Sequence, residues 1–192
     1  MTPSDLSAAL RPVLAALDGL GVRHFVAGSI ASSAHGVPRA SIDADVVAEL
    51  QPGHGAALIG ALANAYYVPV QRVADAIRQR ASFNVIHLAT MVKVDVFVAH
   101  GEADQASLGR VVRAQLDDGI EVPICSAEDS LLAKLTWYRR GGETSERQWT
   151  DVLGLLQVAT LDMPYLRDGA AGRGVADLLE RAVGEVNGPP AI

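Results

Sequence analysis

Residues 25–47, FVAGSIASSAHGVPRASIDADVV, hold an apolar run broken at Gly28-Ser29, a short segment of small residues, and a second apolar run carrying Asp43 and Asp45. In a strand, residues i and i+2 face the same side, roughly 6.5–7 Å apart. Asp43 and Asp45 therefore project together, while Ala44 and Val46 point the other way into a core. Adjacent carboxylates repel, and burial raises the cost. They persist cheaply when solvated or when a cation sits between them. Hard cations such as Mg²⁺ take oxygen ligands, often one or two carboxylates plus phosphate oxygens. Taken alone, the pair is a wet strand face.

A third carboxylate changes that balance. In MVKVDVFVA (91–99), Val92, Val94, Val96 and Val98 form one face, and Lys93, Asp95 and Phe97 form the other. If this strand lies beside the first, Asp43, Asp45 and Asp95 converge, and three convergent carboxylates are the ligand set of a two-metal phosphoryl- or nucleotidyl-transfer centre. The plainer alternative for Asp95 is a partly exposed aspartate paired with an arginine. Gly28-Ser29 adds a strand that ends in glycine and opens into a helix, which offers backbone N–H groups to an anion. The alternative there is a tight turn with Ser29 as an ordinary N-cap.

Hydrophobic periodicity and breakers outline the remaining elements. Thr2-Pro3-Ser4-Asp5 starts a helix with Leu6, Leu10, Val13, Leu14 and Leu17 on one face, closed by Gly19 and Gly21. VRHFVA is a strand, SIASSAH a two-turn helix stopped by Gly36 and Pro38, IDADVVAEL a strand and GAALIGALANA a helix. YYVPV reads as a short edge strand, since Pro69 donates nothing to a ladder, and VADAIRQR as a helical turn or two. SFNVIHL and MVKVDVFVA form an antiparallel hairpin. Residues 105–122 read as a strand RVVRAQL, a turn at Asp117-Asp118-Gly119 and a return IEVPI. SAEDSLLAKLTWYRR is a helix capped by Ser126, followed by helices over 145–159, 162–169 and 173–186. The expected organisation is an α/β domain over 1–123, a helical domain over 124–187 and a frayed tail over 188–192.

Composition narrows the class. Hydrophobic residues make up 49% and charged residues 20% of the 192, a globular balance. No apolar run approaches the roughly 18 residues of a membrane helix, and the single cysteine, Cys125, excludes an intrachain disulfide and a cysteine metal site. A cytoplasmic protein with no membrane partner is expected. The net charge of −6 gives no global field for nucleic acid, so an RNA would need a local patch such as Arg72, Arg78 and Arg80, or Arg139-Arg140. Fourteen of the 16 basic residues are arginine; Lys93 and Lys134 are the exceptions. Lys134 falls inside the stripe Leu131, Leu135 and Tyr138, so it must snorkel outward or meet an anion.

The constellation Gly-Ser, thirteen residues, Asp-x-Asp and a later Val-Asp-Val strand resembles the nucleotidyltransferase fold shared with DNA polymerase β. AGSIASSAHGVPRASIDADVV with FNVIHLATMVKVDVFV looks like the small AbiEii-type nucleotidyltransferases, a group that includes toxins of toxin–antitoxin systems. SAEDSLLAKLTWYRRGGETSERQWTDVLGLL is similar to that group's helical motifs, and the likeness covers roughly residues 22–160. It implies an α/β (α+β) fold with a mixed sheet flanked by helices and a C-terminal helical bundle. It implies that Asp43, Asp45 and Asp95 bind two Mg²⁺ ions (Mn²⁺ being the alternative), that Gly28 and Ser29 hold an NTP, and that Asp95 is the base for an attacking hydroxyl. It also draws Lys134 toward the triphosphate. Asp151 is either an arginine's salt-bridge partner or the polar residue of the family's helical motif, and Arg39 completes the candidate set. The acceptor would be a tRNA 3′ end, a protein side chain or a small molecule, and an antitoxin would be a further partner. Two other readings stand beside this one: a catalytically silent nucleotide-binding or interaction module, and a metal-dependent phosphodiesterase, which needs no triphosphate cradle.

Overall fold

The computed structural model describes residues 3–37, 41, 43–116, 119, 121–158 and 160–188. Thr2 of the first cap, Arg39, the Asp117-Asp118 part of the turn and residues 189–192 of the tail lie outside them. The chain divides into two compact units, Met1–Ile30 with Ala40–Cys125, and Ala31–Arg39 with Ser126–Ile192.

The first unit is built on a seven-stranded mixed sheet. In chain order its elements are α1 (Pro3–Gly19), β1 (His24–Val26), the start of α2 (Gly28–Ala34), β2 (Asp43–Ala48), a 3₁₀ turn (Pro52–His54), α3 (Gly55–Leu62), β3 (Tyr66–Tyr67), α4 (Val70–Gln79), β4 (Ser82–His87), β5 (Lys93–Val98), α5 (Gly101–Gly109), β6 (Val112–Gln115) and β7 (Glu121–Ile124). The strand order is β3-β4-β5-β2-β1-β7-β6. The pairs β2–β5 and β1–β7 are parallel, and the others are antiparallel. Alternation in β2 and β5 sets the sheet's two faces. Ala44, Val46 and Ala48 of β2 and Val94, Val96 and Val98 of β5 are buried, while every intervening side chain is partly exposed.

The helices follow their apolar spacing. Leu10, Val13, Leu14 and Leu17 of α1 are buried, and Gly21 turns the chain out of the helix at φ +65°, a conformation suited to glycine. Tyr66 of β3 donates its hydroxyl to the Ala9 carbonyl of α1 at 2.5 Å, and burial pushes its phenol pKa up. Two elements differ from the sequence reading. The helix α4 runs ten residues rather than a turn or two, because Val73, Ala76 and Ile77 give it a buried stripe. The helix α5 was not expected at all. Only Ser107 and Leu108 of it are buried, so it carries no periodic signal, and its start is fixed by the Asp104 carboxylate accepting from the His100 N–H at 2.8 Å.

The second unit contains the rest of α2 and the helices α6 (Ala127–Arg140), α7 (Glu146–Val158), α8 (Met163–Gly172) and α9 (Ala176–Asn187). Ser126 caps α6, accepting from the Asp129 N–H at 3.1 Å, and Asp129 in turn accepts from the Tyr165 hydroxyl at 2.8 Å. The core is formed by Leu131, Leu132 and Leu135 of α6, Val152 and Leu155 of α7, Leu166 of α8 and Leu178 and Leu179 of α9. Gly169 lets α8 close onto α6, since a Cβ there would lie 2.6 Å from Leu132 Cδ1.

Lys134 stands in this core. It does not snorkel outward: it is 6% exposed, and its Nζ donates to Asp151 Oδ2 at 2.6 Å, with Asp151 3% exposed. Among the described residues, the cation that meets Asp151 is this lysine. Removing one partner of an ion pair buried this deeply leaves the other without its counter-charge. Replacing Lys134 by Met should cost about 3–5 kcal/mol, because a buried carboxylate loses its ammonium, and the double variant Lys134→Met/Asp151→Leu should recover most of that loss. Urea denaturation of the three proteins checks both outcomes.

Candidate active site

The parallel pairing of β2 with β5 sets Asp43 opposite Lys93 and Asp45 opposite Asp95. Directly paired residues share a face of the sheet, so all three carboxylates stand on one face, in two rungs separated by the Ala44–Val94 pair. The antiparallel pairing of β4 with β5 adds Asn84 to the same face, opposite Asp95. The other faces of β2 and β5 are buried valines and alanines, and that of β4 carries buried Phe83 and Val85, which hold the register. A one-residue slip would send the carboxylates into the core.

Lys93 is the cation in the midst of this group. Its Nζ lies 2.6 Å from Asp95 Oδ2 and 3.9 Å from Asp43 Oδ2. The hydrogen bond to Asp95 is the main influence holding the ammonium pKa above the ordinary lysine range, with charge attraction from Asp95, Asp43 and Asp45 added to it. Asp95 thus finds a lysine two residues away on its own strand, not the arginine considered as its alternative partner. Its side chain is 20% exposed, against 37% for Asp43 and 42% for Lys93, so the group opens toward solvent.

Gly28 closes the other side. Its φ is +62°, and a Cβ built there would fall 1.9 Å from Asp45 Oδ2, so the space a side chain would fill is taken by the aspartate. The Ala27 N–H donates to the Asp45 carbonyl at 2.8 Å, tying the end of β1 to the middle of β2. Ser29 is turned inward. Its hydroxyl donates to Ser41 Oγ at 2.5 Å, and Ser41 donates to the Asp43 carbonyl at 2.7 Å, a relay that anchors the first rung of β2. The helix α2 has only seven residues, so it carries no long macrodipole.

The donor chemistry fits a hard divalent cation, since Asp43, Asp45 and Asp95 supply only oxygen from fixed rungs, with Asn84 beside them. Among the described residues, however, no three His, Cys, Asp or Glu side chains are already gathered into a cation shell. Asp43, Asp45, Asp95, Gly28 and Ser29 all belong to the first unit, whereas Lys134 and Asp151 belong to the second, where they pair with each other. The arginine clusters are largely engaged locally: Arg78 with Asp75, Arg80 with the Ala99 carbonyl, Arg139 with Asp177 and Glu143, and Arg140 over the Trp137 ring.

Comparison with solved structures gives alignments spanning most of the chain. ANT(2'')-Ia in complex with adenylyl-2''-tobramycin superposes with a TM-score of 0.56 at 13% identity, covering 87% of this chain and 95% of that one. The solution structure of the same antibiotic-resistance factor gives 0.55 at 16% identity, covering 90% and 93%. An antigenic nucleotidyltransferase-like protein from Paracoccidioides brasiliensis gives 0.52 at 17% identity, covering 91% and 90%. The chain has the nucleotidyltransferase fold. Neither protein-family models nor curated proteins give a match to the sequence, so the likeness lies in the architecture.

Within this fold, the sequence signals for Asp43, Asp45 and Asp95 lead to one place. Asn84 and Ser41 were missed. The alternation in SFNVIHL puts Asn84 on its strand's polar face, so the hairpin register alone would have found it. Ser41 sits outside any periodic pattern. Gly28→Ala should cost about 1–2 kcal/mol from the left-handed φ alone and more from the collision with Asp45; thermal melting with and without Mn²⁺ should show lowered stability and loss of any metal-induced shift.

Proposed function

We propose that this chain is a Mg²⁺-dependent nucleotidyltransferase that moves NMP from an NTP to an acceptor hydroxyl. The observation that carries the reading is the rung-by-rung facing of Asp45 and Asp95, with Asp43 one pleat away. Asp43, Asp45 and Asp95 would hold the divalent cations, which would neutralise charge on the triphosphate. The start of α2 at Gly28 and Ser29 would take phosphate oxygens, as the family resemblance implies.

In the reaction, the acceptor oxygen attacks the α-phosphorus and its proton passes to the Asp95 carboxylate. A new P–O bond forms, the α–β bridging P–O bond breaks, and pyrophosphate leaves with the electron pair. Positioning and fixed charge contribute most to such transfers, in keeping with a site whose ligands stand on adjacent strands. The solved complex of ANT(2'')-Ia with adenylyl-2''-tobramycin supports a small-molecule hydroxyl as the first acceptor to test. The AbiEii-like sequence motifs support the alternatives, a tRNA 3′ end or a protein hydroxyl in a toxin held by an antitoxin. Under the same reading, Lys134 and Asp151 brace the helical unit as a matched pair.

One observation favours the second reading, a silent nucleotide-binding module: Lys93 already neutralises Asp95. Label transfer separates the two. Purified protein, given each α-labelled NTP with Mg²⁺, total RNA, a lysate and a panel of aminoglycosides, should label one acceptor class. Asp95→Ala should lower the yield by about a hundredfold or more while leaving the circular dichroism spectrum intact. NTP binding without transfer to any acceptor would favour the module.

A further inference from the structure

Lys93 is unexplained by the chemistry proposed so far. The chain uses arginine at fourteen of its sixteen basic positions, yet among the described residues the cation paired with Asp95 and Asp43 is a lysine. An arginine would hold a carboxylate with a rigid bidentate fork, whereas a lysine is a compact point charge on a flexible stem that can leave one anion for another. Lys93 has the freedom to do so: its side chain is 42% exposed, and its nearest anions, Asp95 at 2.6 Å and Asp43 at 3.9 Å, stand on the open face of the sheet.

Those anions are the ones assigned to the divalent cation. An ammonium hydrogen-bonded to Asp95 and a dication bound to the same carboxylate repel each other at close range. A metal ion arriving alone must therefore expel Lys93 into water, away from the carboxylates it is paired with among the described residues. A metal ion arriving on a nucleoside triphosphate brings phosphate oxygens within the reach of a four-carbon stem, and the ammonium exchanges one anion for another. We infer that Lys93 is a tethered counter-ion that makes divalent-cation binding at Asp43, Asp45 and Asp95 conditional on the triphosphate. Lys93 is in this sense a positioning residue: it occupies the carboxylates until the nucleotide takes its charge. The inference rests on the nucleotidyltransferase reading of the site.

The test measures Mn²⁺ binding by electron paramagnetic resonance, with and without α,β-methylene analogues of the four NTPs, on the wild type, Lys93→Met and Lys93→Arg. In the wild type the analogue should tighten Mn²⁺ binding by about tenfold or more. Lys93→Met should bind Mn²⁺ alone about tenfold more tightly than the wild type and bind the analogue more weakly, so that the coupling between the two collapses. Lys93→Arg keeps the charge and should keep Mn²⁺ alone weak. A second readout is the metal-free melting temperature, which should fall in Lys93→Met and be restored by Mn²⁺ alone; a merely structural ion pair would not be replaced by metal in this way. Equal Mn²⁺ affinity in wild type and Lys93→Met overturns the role of Lys93 and leaves the site reading standing. Absence of Mn²⁺ binding in all three proteins, with every analogue present, overturns the site reading and this inference with it.

Discussion

The register between β2 and β5 is the constraint on which the rest depends. Because the strands run parallel with Asp45 facing Asp95 and Asp43 facing Lys93, one pairing choice decides both the core and the charged face. The buried residues Ala44, Val46 and Ala48, against Val94, Val96 and Val98, favour that register strongly. The carboxylates are carried along by it, since side-chain direction in a strand has a period of two. Apolar burial thus holds in place an arrangement of like charges that electrostatics alone would disperse.

The two lysines show one chemical problem answered in two settings. Lys134 is sealed within a helical core and meets one carboxylate, Asp151, at 2.6 Å. There, separating the pair is costly. Lys93 meets its carboxylate at the same 2.6 Å but on a half-open sheet face, with Asp43 also within 3.9 Å. The distance is shared and the consequence is not. Burial turns an ion pair into a brace, and solvent access leaves it exchangeable.

Most of the sheet was legible in the sequence because its strands alternate. The opposing faces of KVDVFV, the Asp-x-Asp spacing and the glycine before α2 each report a local preference that the tertiary structure keeps. The adjacency of β2 and β5 was not legible from these residues themselves: nothing in either strand names its neighbour, and the connection between them includes two helices and the β3–β4 pair. Surface helix α5 escaped notice because helix formation there rests on a backbone cap from Asp104 and not on an apolar stripe. The Lys134–Asp151 pair was half visible. A lysine within an apolar stripe announces that it needs an anion, but its partner, seventeen positions further on, reads equally as an arginine's salt-bridge partner or as the polar residue of a helical motif. Ser29 is the instructive case. Its place at the start of α2 suggested an anion ligand, while its hydroxyl is committed to Ser41 and so to the position of Asp43.

The parallel pairing of β2 with β5 also bears on how the molecule comes to exist. Asp45 and Asp95 are 50 residues apart in the chain yet face each other across a single rung, so no local hairpin can bring them together. Contacts of this separation form slowly, since the loop between them must be closed before the strands reward it. In the nascent chain Asp43 and Asp45 are therefore solvated and distant from Asp95, and their repulsion is felt only once the valine faces have come together. Lys93, two residues before Asp95, travels with it. The strand that completes the acidic group carries a positive charge of its own, so closing the β2–β5 pairing joins unlike charges as well as like ones.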